Sequence, residues 1–375
     1  AARPANRTEV PTVSDGKGSV ARNAAGVTPA RLSAAIIAGF DVHLRQITFD
    51  CLDSHSGEVT RGRIASAPAA VRDWVGQFPG REVHVAMEAC TGWLFVARAV
   101  EDAGAIAHLA ETVETRALRG RKRRAKTDRQ DARWLRELLA EGRLPEAWIA
   151  PEHVRQWRSR LHLRKALIDE RTQWLLRIRS VLYHHGLSAG APGEISAPGG
   201  RRFLTALDLP ADARERVTTA LGMIDTLERQ IHELERSLRR VARHQAGCQA
   251  LMTQFGVGEL IALTLLTELG DVGRMSSSRQ AVRFAGLDIG VHRSDRTARV
   301  GKLTRQGSAP LRWALYEAAQ SATRPRSPDH ADYHELKARG LTHTRASLTI
   351  ARKIARRSYH LLHNLGPAAL SPARE

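Results

Sequence analysis

The sequence predicts an α/β domain built on a mixed sheet, then a helical coiled coil, then a mostly α-helical C-terminal domain. Three observations predict it. Apolar strand-like runs precede alternating strand and helix signals in residues 34–145, a three-four apolar spacing marks residues 146–246, and helical periodicity dominates residues 247–366. Residues 1–33 mix Ala, Arg, Pro, Gly, Ser and Thr without a lasting period and read as a disordered tail, and residues 367–375 read as a second tail.

In the first domain an apolar run through Ile36, Ile37 and Phe40 is followed by Gln46 to Leu52, a Ser54-His55-Ser56-Gly57 turn and Glu58 to Ile64, which together predict consecutive antiparallel strands. Helix near Ala69 to Phe78, strand Glu82 to Glu88, helix Gly92 to Asp102 and strand Ala105 to Leu109 follow. A helix bearing Asp128 and Asp131 closes the domain near Gly142.

Beyond Pro151 the positions Val154, Trp157, Leu161, Ile168, Leu175, Ile178 and Leu182 keep helical spacing, although Arg164 and Arg171 interrupt the seam. Val217, Leu221, Ile224, Leu227, Ile231, Leu234, Leu238 and Val241 keep it without interruption, with Glu228, Arg229, Glu233, Glu235 and Arg236 assigned to the other faces. Two partners suit this second stripe: the first helix, in an antiparallel hairpin, or a second copy of the chain, in a zipper. A Gly- and Pro-rich break from Gly186 to Gly200 separates the two helices.

Lys and Arg number 58 against 39 Asp and Glu, a net charge of +19 that implies a polyanionic partner. Cys51, Cys90 and Cys248 form no CxxC pair, which excludes a disulfide framework and a zinc ribbon and fits a reducing cytoplasm. No apolar run approaches the roughly 18 residues that span a bilayer, and residues 1–33 lack the apolar core of a secretory signal. A soluble, cytoplasmic protein without membrane contact is expected.

Two carboxylates end strands: Asp41 in Gly39-Phe40-Asp41-Val42-His43 and Glu88 in Met87-Glu88-Ala89-Cys90. A carboxylate there is costly unless it meets a cation. Asp128 and Asp131, three apart, share a helix face. Four oxygen ligands suit Mg²⁺ or Mn²⁺, and two such ions would activate an attacking oxygen and stabilise the leaving oxygen of a phosphodiester. Immediately upstream, Arg121, Lys122, Arg123, Arg124 and Lys126 continue a basic run begun by Arg116 and Arg119, with no acid between Glu114 and Asp128, and suit contact with a phosphate backbone. Gly256-Val257-Gly258 ahead of an apolar helix is either a phosphate-binding hairpin or a plain turn. His184, His185, His360 and His363 lack nearby carboxylate or thiolate partners and are read as surface or groove residues.

Together these residues resemble the DEDD-type transposases of bacterial insertion sequences over about residues 36–365. Asp41 falls on the first aspartate of a Gly-Ile-Asp-Val-His-Lys type motif, with Phe40 and Leu44 as departures, and Glu88 on the family glutamate ahead of Thr91-Gly92. Lys126-Thr127-Asp128-Arg129-Gln130-Asp131-Ala132 matches the third motif intact. Gly256-Val257-Gly258, Phe284-Ala285-Gly286-Leu287 and Gly301-Lys302-Leu303-Thr304-Arg305-Gln306-Gly307-Ser308 resemble the family's second domain. Here Phe255 replaces the family's proline, and Ser294-Asp295 its Ser-Gly pair.

The resemblance implies a RuvC-like (RNase H-like) fold for residues 34–145 and a C-terminal transposase domain whose nucleophilic serine maps to Ser294, with Ser308 as rival. Arg293, Arg296, Arg299 and Lys302 would surround that hydroxyl with positive charge, and Arg293, Arg296, Lys302 and Arg305 would bind nucleic acid. It further implies double-stranded DNA at the element ends and target and a bridge RNA as guide, while the coiled coil is expected to build a dimer or tetramer. A RuvC-like junction nuclease, an actin-like phosphotransferase and a decayed nucleic-acid-binding protein stay open as alternatives.

Overall fold

The structure, a computed structural model, describes residues 35–119, 127–188, 192–294, 297–304 and 307–373. The expected tail at 1–33, the basic residues Arg121, Lys122, Arg123, Arg124 and Lys126, and Arg296 and Arg305 lie outside the described residues. Contacts divide the chain into two compact units, 1–149 and 150–375.

In the first unit β1 (Ile36–Val42), β2 (Gln46–Asp53) and β3 (Val59–Ala65) form an antiparallel meander; α1 (Pro68–Val75), β4 (Val83–Glu88), α2 (Trp93–Asp102) and β5 (Ile106–Ala110) follow. Then come α3 (Thr112–Leu118) and α4 (Asp128–Ala140). The sheet order is β3-β2-β1-β4-β5, with β4 parallel to both β1 and β5. This mixed sheet is the one the sequence predicts and is consistent with an RNase H-like domain.

Side chains alternate across β1, so its two faces serve two layers. Ile36, Ala38 and Phe40 join Val71, Trp74, Val96 and Val100 of α1 and α2 in one core. Ile37 turns the other way and packs with Ala86, Ala110, Leu135 and Leu139 beneath α4. Gly39 lies on this second face. A Cβ there would stand 2.0 Å from the Ala132 carbonyl oxygen and 2.7 Å from the Arg136 nitrogen, so only glycine lets α4 approach so closely.

A buried ion pair fixes the helix along that face. Asp50 of β2, 1% exposed, receives Arg136 Nε of α4 at 2.5 Å and Arg61 Nε of β3 at 2.6 Å.

The second unit comprises α5 (Glu152–His184), α6 (Pro198–Ala206), α7 (Ala211–His244), α8 (Ala246–Met252), α9 (Glu259–Leu269) and α10 (Ser278–Phe284). A hairpin of β6 (Ile289–Ser294) and β7 (Thr297–Leu303) precedes α11 (Ala309–Gln320), α12 (His330–Ala338) and α13 (His343–Leu365). The sequence reading missed the hairpin, and it missed the start of α6 within the break at 186–200.

Helices α5 and α7 run antiparallel. Arg160 pairs with Ser237, Arg164 with Glu235 and Arg171 with Glu228, each step up one helix matching a step down the other. Glu228 and Glu235 therefore face the seam, contrary to their expected outward placement, because the two arginines that interrupt the apolar stripe need them. The segment from 367 is not a free tail: Ala369 is 4% exposed, and the buried Gln245 amide donates to the carbonyls of Ala369 and Ser371 at 2.8 and 3.0 Å. Among the described residues no helix is long and apolar enough to cross a membrane.

Gly39→Ala should cost at least about 1–3 kcal/mol, the usual range for overpacking. Urea melts of the full chain measure it; a change within experimental error would mean that α4 does not rest on β1 as described.

Candidate active site

The site forms where β1 and β4 end side by side. Phe40 pairs with Met87 in parallel register, so the next residues, Asp41 and Glu88, emerge together on the face that also carries Gly39 and Ala86. Over that face α4 begins. Thr127 caps it by accepting from the Gln130 N–H at 3.3 Å, and Asp128 and Asp131 occupy its first turn, where the helix dipole favours negative charge.

Four carboxylates from three separate segments of the chain are thus brought to one end of the sheet. Oxygens of Asp41 and Asp128 and the ring nitrogen of His43 lie within 4.8 Å of one another. His43 Nε2 stands 3.0 Å from Asp41 Oδ2 and 3.5 Å from Asp128 Oδ1. On the other side Arg119, the C-cap of α3, places Nη1 2.5 Å from Asp131 Oδ1.

The electrostatics show what such a cluster lacks. Burial raises the pKa of Asp41, the His43 ring opposes the rise, and Asp131 and Asp128 add to it. Burial likewise raises that of Glu88, with Arg119 opposing and Asp131 and Asp41 reinforcing. Half-buried carboxylates that repel each other, and that two side-chain partners only partly compensate, fit a divalent cation.

Sequence reasoning located Asp41, Glu88, Asp128 and Asp131 but did not single out His43 or separate Arg119 from the basic run. The motif position of His43 was the available signal for the first; for the second there was none.

In the second unit Ser294 ends β6, three residues before Thr297 opens β7. Arg293 belongs to β6, and Arg299 and Lys302 belong to β7. Ser308 is better defined: it caps α11 by accepting from the Leu311 N–H at 3.1 Å and donates to Glu268 Oε2 at 2.6 Å. Glu268 is 8% exposed and also bonds His162 Nε2 at 2.9 Å. Gly256 has φ +86°, and a Cβ there would meet Ser321 Oγ at 2.2 Å, so it is required for a turn packed against α11. Gly258 precedes α9, whose first-turn Glu259 is held by Arg239 and Arg243, both at 2.8 Å. A carboxylate at that helix start disfavours a bound phosphate.

The fold and the clustered carboxylates define a class, the DEDD-type enzymes of DNA transposition. Residues 38–185 match the DEDD Tnp IS110 family model, described as Transposase, and residues 248–335 match the model described as Transposase IS116/IS110/IS902 family. The chain belongs to this family of insertion-sequence transposases, the two matches together spanning more than half of it. It is 24% identical to a Pseudomonas aeruginosa protein named Probable family 20 transposase, over 86% of this chain and 94% of the relative. Identity to the Transposase for insertion sequence element IS1111A of Coxiella burnetii is 28%, over 53% of this chain and 55% of that one. For the Transposase for insertion sequence element IS1328 of Yersinia enterocolitica it is 25%, over 75% and 82%.

Removing one of the repelling charges should stabilise the metal-free protein. The raised pKa of Glu88 means that the folded state holds its proton more tightly than the unfolded chain does; stability is greatest at low pH and declines as pH rises through the raised value. With EDTA at pH 8, Glu88→Gln should therefore melt higher than the parent, by about 2–4 °C per kcal/mol of strain relieved. The gap should close towards pH 4.5. A lower melting point at pH 8 would mean that attraction to Arg119 outweighs burial and repulsion.

Proposed function

We propose that the chain excises and inserts a DNA element by metal-dependent strand cleavage at Asp41, Glu88, Asp128 and Asp131 and by covalent strand transfer through Ser294. The observation that carries this reading is that Asp41 and Glu88 end neighbouring parallel strands beneath the first turn of α4, with Asp41 and Asp128 donors within 4.8 Å and Asp131 close enough to repel both Asp41 and Glu88. A bound divalent ion, Mg²⁺ or Mn²⁺, would supply activation of the attacking oxygen and charge stabilisation of the leaving oxygen.

The protein's own part is positional. Asp41 and Glu88 are aimed by neighbouring strands, Asp128 and Asp131 by the first turn of a capped helix. Preorganised charges of this kind need no reorganisation when the phosphodiester reacts. In the covalent step the Ser294 oxygen bonds to phosphorus, the bond from phosphorus to a deoxyribose oxygen breaks, and the serine proton ends on that oxygen. Rejoining reverses the exchange on a new strand.

Ser308 is the rival nucleophile: its oxygen caps α11 and its proton is donated to buried Glu268. The basic residues 121–126, with Arg293, Arg296, Lys302 and Arg305, supply backbone contacts to double-stranded DNA. Guidance by a structured RNA, action in the cytoplasm and assembly as a dimer or tetramer complete the reading, as do its limits of 34–145 for the RuvC-like domain, 146–246 for the helical region and 247–366 for the serine-bearing domain. Exposed Leu163, Leu176 and Tyr183 on α5 support assembly of copies.

A plasmid excision assay with denaturing gels for the protein–DNA adduct tests this. Asp128→Ala should abolish excision while the protein stays folded. Ser294→Ala should lose the adduct, and Ser308→Ala should keep it at a lower melting temperature. Undiminished excision by Asp128→Ala would sink the proposal; an adduct kept by Ser294→Ala and lost by Ser308→Ala would move the nucleophile.

A further inference from the structure

We propose that His43 is a metal ligand, and that the site takes its first divalent ion at the corner formed by Asp41, His43 and Asp128, with a preference for Mn²⁺ over Mg²⁺. This rests on reading the four carboxylates as a metal centre.

His43 follows β1 directly, in the short turn His43-Leu44-Arg45 that leads into β2. The turn is closed by the His43 N–H donating to the Gln46 carbonyl at 3.0 Å. From there the ring reaches back over the strand end, towards Asp41 at 3.0 Å and Asp128 at 3.5 Å. Its side chain is 52% exposed, and the two carboxylates orient it. Among the described residues this is the one group of three candidate ligands whose donor atoms converge.

The quartet is divided electrostatically. Arg119 pairs with Asp131, and it is the charge that acts most strongly on Glu88. A permanent cation therefore already serves the Glu88 and Asp131 half. Among the described residues the Asp41 and Asp128 half is faced by an imidazole alone, which when neutral with its proton on Nδ1 offers the Nε2 lone pair to a metal. An incoming ion meets less repulsion and one more donor there. Mg²⁺ demands oxygen ligands and dehydrates reluctantly, whereas Mn²⁺ binds mixed nitrogen and oxygen sites more readily than Mg²⁺ does.

The test loads the full chain with one equivalent of Mn²⁺ and reads nitrogen coupling by electron spin echo envelope modulation, with calorimetry for affinity. Imidazole coupling is expected in the parent and absent in His43→Ala and His43→Gln, whose circular dichroism should match the parent. Loss of outer partners of metal ligands already costs about 10–100-fold in affinity, so either variant should weaken Mn²⁺ by at least about tenfold and Mg²⁺ by less. Bound Mn²⁺ without nitrogen coupling, or coupling that persists in both variants, overturns the role of His43 while leaving the carboxylate centre standing, provided Asp128→Ala abolishes binding. Failure of the parent to bind Mn²⁺ overturns both.

Discussion

The close seating of α4 on β1 is the constraint on which the first unit depends. Asp41 and Glu88 follow from strand register, but Asp128 and Asp131 reach them only because a helix begins over that end of the sheet. Gly39 removes the side chain that would hold the helix off, and the Asp50–Arg136 pair sets its position along the strands. A buried ion pair adds little net stability, yet leaving either charge unpaired costs about 3–5 kcal/mol. That asymmetry penalises any shift of α4, which is what a site assembled from separate elements requires.

The same site works against the stability of the fold. Burial and mutual repulsion raise the pKa of Asp41 and of Glu88, and the helix start, His43 and Arg119 only partly offset the accumulated negative charge. A structure optimised for its own sake would not place acids there. Local conflict of this kind, in a domain whose strands, caps and core otherwise agree, is the pattern expected where a protein binds something.

How much of this was legible in the sequence follows from the range of each interaction. The apolar run of β1 acts over a few residues and was visible, as were the strand-end positions of Asp41 and Glu88. The distinct place of Arg119 was hidden, because a basic run looks alike whether a given arginine meets phosphate or Asp131. The β6–β7 hairpin was missed since Gly290, Arg293, Arg299 and Lys302 break the apolar alternation by which strands are recognised. Packing beyond residue 366 depends on Gln245, more than 120 residues upstream, and no local pattern signals it.

The helical pair in the second unit raises the question of what the long apolar stripe of α7 is for, since an antiparallel hairpin with α5 and a zipper between copies both fit its spacing. The arginines of α5 decide it. Arg164 and Arg171 sit where a continuous seam would want apolar side chains, and each meets a glutamate of α7 within the same chain, at 2.5 and 3.8 Å. A zipper of two α7 helices would leave these half-buried arginines without partners, in a place where desolvation is not recovered. The stripe therefore belongs to the intrachain pair, while α5 leaves Leu163, Leu176 and Tyr183 uncovered.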